Sequence, residues 1–436
     1  MPNGFLKQVS TFVTIAMFTA LGAGTSLTAY AQVDPKAQSF DFRARSSSGF
    51  NDITVDPFMY RGEPVKFKTF LLFPNLTLEQ AYNDNVLATE TQEKSDFVTA
   101  LKPELLILKK WGRHQFLAAL NAEIFHHWDL KNENVENYSA TIDVDLEAKQ
   151  GLNIPVRLSY HDGSLQRRNQ RRASVSELTE KPLGVKSLEA ETGFIYKPNR
   201  LMLSMLGSYR QARLENARIV SGGQLVRDNG DVDRMRIKAR ASYDAQTGWA
   251  PFLETTFAQE EYINQAPGSL NRNNDLLRVL TGTSFDFKGL LYGFVGAGWE
   301  NRSYDSGAID DAGGLSVEAM ATWEPSTKSR IIFDVSRKTS EDNEIVAALT
   351  KTYAGVEFRH ELQRSLFLKT SVSHEREEFE STSREDDTID AGVGINYIIG
   401  PHLQLSAEYD YVTRDSTVNG LSMENSIVFL RAKTAW

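Results

Sequence analysis

Arg234, Arg236, Lys238 and Arg240 stand at alternate positions of the chain. A period of two places all four on one face of a β-strand, opposite Met235, Ile237, Ala239, Ala241 and Tyr243. Lining a pore, such a column selects for anions or acidic sugars, as rings of charge do. Paired across strands with acids such as Glu254, Glu189 and Glu191, the same cations form a structural ladder, each pair contributing about 0.2–1 kcal/mol. A second basic run, Gln166 to Arg172, carries Arg167, Arg168, Arg171 and Arg172. Their guanidinium forks suit phosphate; the plainer reading is a solvated loop balanced by Glu177 and Glu180.

Residues for catalysis are sparse. His126 and His127 are adjacent, so on a strand they point to opposite faces and cannot ligate one metal together. His161 has Ser159 and Asp162 nearby, and His374 has Ser373 and Glu375, but neither group sits in a specific motif. With no cysteine there is no disulfide, thiolate metal site or cysteine nucleophile. A net charge of −9 argues against nucleic acid as a partner. No catalytic residue, metal or cofactor is expected.

The elements that must position these side chains are strands. From Phe70 to Trp436 the chain alternates with period two. Short turns fall at Trp111–His114, Gly151–Pro155, Lys197–Arg200, Gln246–Gly248, Lys288-Gly289, Glu324–Thr327, Glu361–Arg364 and Gly400–His402. Between them lie longer polar segments: Asn83–Lys94, Gln166–Glu180, Glu215–Asp231, Asn264–Asp275, Asp305–Ala312, Ser340–Glu344, Glu378–Asp387 and Thr413–Gly420. Nearly every strand has one charged and one apolar face: Ile331, Phe333 and Val335 oppose Arg330 and Asp334, and Leu403, Leu405, Ala407 and Tyr409 oppose Gln404, Glu408 and Asp410. Facing lipid near the midplane, each of Arg234, Arg236, Lys238 and Arg240 would cost about 2–4 kcal/mol, so that face must point to water.

No apolar run approaches the roughly 20 residues of a membrane helix, and short turns alternating with long loops are the pattern of an outer-membrane barrel. The expectation is therefore an all-β, single transmembrane antiparallel β-barrel of about eighteen strands, sixteen being the alternative, with both termini periplasmic. Trp111, Trp249, Trp323 and Trp436 mark one interface, Trp128 and Trp299 the other. Residues 1–31, ending Ala29-Tyr30-Ala31, read as a secretory signal; 32–66 as a periplasmic leader, with a plug or docking arm the less favoured reading; and 67–436 as the barrel. In this frame Arg167, Arg168, Arg171 and Arg172 lie at the outer leaflet as a possible lipopolysaccharide contact. The final strand puts Val428, Leu430 and Trp436 toward lipid, as a closing signal for barrel assembly machinery.

Four stretches carry a family resemblance: Leu76-Thr-Leu-Glu-Gln-Ala-Tyr-Asn-Asp-Asn85-Val86, Lys94-Ser-Asp-Phe97, Leu101-Lys-Pro103 and Trp111-Gly-Arg-His114. They resemble the β-barrel porin 2 family of Gram-negative outer-membrane proteins, from about Phe70 to the C-terminus. The resemblance implies passage of a hydrophilic solute, with an exported exopolysaccharide as favoured cargo and polysaccharide export components as possible partners. General or nutrient-specific porins and a structural or adhesive barrel without an open channel are the alternatives. Asn83 to Asn85 read as turn formers at a strand exit, and Pro103 as a proline tolerated at a seam or bulge.

Overall fold

The computed structural model describes residues 63–170, 179–220, 222–226, 230–245, 248–265, 270–341, 348–380 and 382–436. The expected signal sequence and nearly all of the leader lie outside these residues, as do Arg171, Arg172 and Glu177.

Eighteen antiparallel strands form one closed sheet. The first six are β1 Phe70–Asn83, β2 Asp96–Trp111, β3 His114–His127, β4 Val135–Lys149, β5 Leu152–Ser164 and β6 Gly184–Tyr196. Next come β7 Leu201–Leu214, β8 Val232–Tyr243, β9 Trp249–Tyr262, β10 Asn274–Phe287, β11 Leu291–Tyr304 and β12 Ala312–Ser326. The last are β13 Ser329–Glu341, β14 Ala348–Gln363, β15 Leu366–Phe379, β16 Glu385–Ile399, β17 Leu403–Ser416 and β18 Met423–Ala435. Each strand pairs with its sequence neighbours, and β18 pairs with β1 from Asn75↔Ala435 to Asn83↔Ile427, closing the barrel. Closure satisfies every strand's backbone groups, the condition for a sheet to cross a bilayer.

Turn chemistry sets the hairpins. Between β10 and β11, Lys288 and Gly289 have φ of 55° and 74°, the left-handed pair that a tight turn matched to strand twist requires. Three other expected turns are displaced by a residue or more: the connections are Gln150-Gly151, Thr327-Lys328 and Arg364-Ser365, because the strands continue through the flanking polar residues. At the other end, a ninth connection, Trp128 to Asn134, contains a 3-10 turn at Lys131–Glu133. Val65 and Lys66, placed in the leader by composition, are paired with Leu72 and Leu71 on the edge of β1 below the end of β18. Pro103 interrupts the β2–β3 ladder, which stops at Leu101↔Ile124 and resumes at Glu104↔Asn121, as a residue without an N–H must.

The outward face is apolar and exposed, with Leu277, Leu315 and Leu430 each more than half accessible. Aromatic clusters band both ends. Tyr82, Phe97 and Trp128 pack together at the loop end, and Trp249, Phe285 and Phe287 at the short-turn end, the girdle positions of a membrane barrel.

Candidate solute pathway

Charge fills the inward face, in two arrangements. On β8 to β13 the side chains lie flat against the wall. Gly282 and Gly296 are register partners, and the ring of Phe252 lies over both, where a Cβ would meet its Cζ at 2.8 and 3.0 Å. The guanidinium carbon of Arg240 sits 3.6 Å from the centroid of that ring, a cation–π stack. Glu254 lies between Arg240 at 3.5 Å, Arg278 at 3.7 Å and Lys238 at 3.9 Å. Arg278 reaches on to Glu318 at 3.7 Å, and Glu260 holds Arg234 at 2.7 Å and Arg302 at 3.3 Å. Lys238, Arg240, Glu254, Glu260, Arg278 and Glu318 are all buried.

On β14 to β2, charges of alternating sign run around the wall, and four of them are more accessible. Arg359 pairs with Glu357 at 2.6 Å, Glu357 with Lys369 at 3.8 Å, and Lys369 with Glu408 at 3.7 Å. Arg431 then bonds both Glu408 and Glu79, and Glu79 takes Lys102 at 3.0 Å. The step from Lys369 on β15 to Glu408 on β17 crosses β16. It does so at Gly394, the register partner of both, where no side chain intervenes. Glu357, Lys369, Lys102 and Glu408 keep 25, 20, 18 and 16% side-chain exposure, against 8% or less for Lys238, Arg240 and Glu254. Solute in the lumen therefore reaches Glu357, Lys369, Lys102 and Glu408 of this belt, together with Arg234 of the β8 column at 18%, while Lys238, Arg240 and Glu254, and the belt's own Glu79 at 3%, are shielded from it.

The loop end is partly roofed. After β5 the chain turns inward, and Arg167 is buried with its Nη2 and Nε donating to the two oxygens of Glu133 at 2.6 and 2.7 Å and its Nη1 to Thr179 Oγ1 at 2.7 Å. Arg168 lies 3.7 Å from Asp390, and its carbonyl accepts from Arg414 Nη1 at 2.9 Å. Loop residues Val86, Leu87 and Ala88 are also buried, Ala88 against Val412 and Met423.

The family model for putative beta-barrel porin 2 matches residues 57–435. The chain belongs to that family. No curated protein matches the sequence. Among solved structures it is similar to the unliganded ferric citrate transporter FecA (TM-score 0.47, 7% identity, covering 84% of this chain and 78% of that one). It is similar also to Pseudomonas aeruginosa OccK2 (OpdF) in complex with glucuronate (TM-score 0.47, 7% identity, 84% and 98% covered) and to Pseudomonas aeruginosa OpdL (TM-score 0.43, 10% identity, 85% and 100% covered).

In this porin-family barrel the column Arg234, Arg236, Lys238 and Arg240 faces inward, with Arg234, Lys238 and Arg240 in the ion-pair network of Glu260 and Glu254. Arg167 corrects an expectation: its guanidinium is turned to Glu133 inside the loop end rather than outward to a lipid phosphate, because an inner carboxylate supplies the bidentate partner. Arg168 likewise turns toward Asp390. Val428, Leu430 and Trp436 face outward, and Trp436 N–H donates to the carbonyl of Pro74 at 3.3 Å.

The catalytic candidates come apart. Strand alternation sends His374 outward, bonded to Asp387 at 2.9 Å, while Ser373 and Glu375 face in. Asp162 likewise faces away from Ser159 and His161, beside the Tyr160 hydroxyl. At the short-turn end Ser329 Oγ lies 2.8 Å from His360 Nδ1, and among the described residues no carboxylate is hydrogen-bonded to that imidazole.

Sequence reasoning places Glu408 on the charged face of its strand but gives it no partner, and it does not single out Glu79, Lys369 or Glu133. One signal was available: Gly392-x-Gly394 leaves two successive inward positions of β16 without side chains, so charges on β15 and β17 can meet across it.

Proposed function

We propose that this outer-membrane barrel passes hydrophilic solutes, with an exported polysaccharide as the favoured cargo and small nutrients as the alternative. The observation that carries the reading is the inward-facing belt from Arg359 to Lys102, a polar track of alternating sign around one side of the lumen, open to solute at Glu357, Lys369, Glu408 and Lys102. Paired cations and carboxylates offer donors and acceptors together, which suits neutral hydroxyl-rich chains better than a column of one sign. The polysaccharide preference rests on the family resemblance. Lipopolysaccharide around the barrel, the assembly machinery and polysaccharide export components are proposed as partners on the same ground, with the loops outside the cell.

Planar-bilayer recording tests the reading. Discrete conductance steps, blocked by a hydroxyl-rich oligosaccharide more strongly than by a monosaccharide, are the expected result. A silent bilayer would instead favour a structural or adhesive barrel, for which the inward Arg167–Glu133 pair and the buried Val86–Ala88 segment speak.

A further inference from the structure

Hairpins fix their own register through their turns, but the pair that closes the barrel has no turn. β1 and β18 lie at opposite ends of the described chain, and their ladder covers only Asn75–Asn83 against Ile427–Ala435. Alternation alone does not fix it, since a slip of two residues keeps every apolar side chain toward lipid. Something beyond the pattern must choose.

At the loop end of this seam, three consecutive residues reach three consecutive residues of β18. Asn83 Oδ1 accepts from Asn425 Nδ2 at 2.6 Å. Asp84 Oδ1 accepts from Ser426 N–H at 2.7 Å, and Asp84 N–H donates to the Ser426 carbonyl at 3.2 Å. Asn85 Nδ2 donates to the Glu424 carbonyl at 2.8 Å, while the Asn85 carbonyl accepts from Asn425 Nδ2 at 2.9 Å. Asn85 is 1% exposed, and its amide also holds its own loop, donating to the Thr89 carbonyl at 2.7 Å and accepting from Thr89 N–H at 3.0 Å. Each partner is of the type its bond demands. Asparagine supplies a donor and an acceptor in one group, whereas aspartate in place of Asn85 or Asn425 would face carbonyl oxygens with no donor.

We propose that Asn425, received by Asn83 and Asn85, is the register lock of barrel closure: its side-chain amide selects the one alignment of β18 on β1. In a slip of two residues Met423 or Ile427 would take its place and the Asn83 side chain and Asn85 carbonyl would lose their donor, although both faces of the strand would keep their polarity; the bonds of Asp84 and the Asn85 side chain, made to backbone groups that recur at every second residue, would strengthen either alignment.

The full-length chain, which has no cysteine, allows a direct test by oxidative cross-linking. Tyr82 and Val428 are register partners on the outward face, and Leu430 lies two residues further along that face. Tyr82→Cys paired with Val428→Cys should cross-link in the otherwise unaltered chain, and Tyr82→Cys paired with Leu430→Cys should not. Adding Asn425→Asp should lower the ratio of native to slipped cross-link about tenfold per lost bond to a buried partner. Oxidising the Tyr82→Cys/Val428→Cys pair should restore heat-modifiable folded barrel to that variant. Asn271→Asp, in a loop far from the seam, should change neither readout. An unchanged cross-link ratio would overturn the proposal, as would a folding defect that the native-register disulfide fails to rescue.

Discussion

Arg431 on β18 ties β17 to β1, bonding Glu408 on one side and Glu79 across the seam. Its replacement by glutamine removes the charge while leaving much of the stem. Glu79 is 3% exposed, so the loss falls on a carboxylate with little access to water. Leaving a buried charge without its partner costs about 3–5 kcal/mol when nothing else is near. Here Lys102 stays 3.0 Å from Glu79, and Lys369 stays 3.7 Å from Glu408. The expected loss is therefore smaller, about 2–3 kcal/mol, or roughly 30- to 150-fold in the folding equilibrium. Urea unfolding of the barrel refolded into lipid vesicles, followed by tryptophan fluorescence, measures it. A cycle with Glu79→Gln separates the pair from its surroundings, and the coupling should be about 1–2.5 kcal/mol. Additivity of the two substitutions within about 0.5 kcal/mol would mean that Arg431 acts through its stem or through Glu408, not as the electrostatic tie across the seam.

Replacing Arg234, Arg236, Lys238 and Arg240 together with Gln should lower stability, read as a fall in urea midpoint, more than it moves the reversal potential, because Lys238 and Arg240 are buried in ion pairs; a large shift toward cations with unchanged stability would return the column to an open selectivity role. Lys102→Gln with Lys369→Gln should do the reverse, moving the reversal potential toward cations, since both lie on the accessible belt. Gly394→Val should sever Lys369 from Glu408, seen as loss of coupling in a Lys369/Glu408 mutant cycle, because its side chain would stand between them, with even a Cβ at 3.3 Å from Glu408 Cγ. Deleting Trp436 should sharply reduce folded barrel in the membrane by removing the bond to Pro74 and an interfacial anchor; unchanged levels would dispose of the terminal signal.

How far sequence could reach is visible in which ion pairs it made legible. Arg240 and Glu254 are register partners flanking the turn near Gly248, as are Arg234 and Glu260, so one hairpin's spacing and the period of two bring them together. Lys369 and Glu408 sit on strands that do not pair with each other, and they meet only because Gly394 is bare. Glu79 and Arg431 meet across a seam that no turn defines, and Arg167 meets Glu133 because one loop turns inward onto another. Alternation and turns are local signals and yielded the strands, their faces and their number. Register at the seam and the direction of a loop depend on contacts hundreds of residues apart or on packing inside the lumen, and no local pattern carries them.

The seam and the belt are one structure seen at two heights. At the loop end Asn83 to Asn85 hold Glu424 to Ser426, and lower on the same two strands Glu79 faces Arg431 in register. A slip of two residues in β18 would replace Arg431 opposite Glu79 either with Phe429, which breaks the chain of alternating charge where it crosses from β18 to β1, or with Lys433, which keeps the sign but lacks the fork that bonds Glu79 and Glu408 together. Phe429 would leave Glu79 with Lys102 alone, while Lys433 would leave Glu104, from which it now lies 3.6 Å away. The alignment that satisfies the asparagines is thus the alignment that completes the belt. On the proposed reading, a register error at closure would spoil the solute track as well as the fold, so selection for the polar wall of the lumen acts also on the residues that close the barrel.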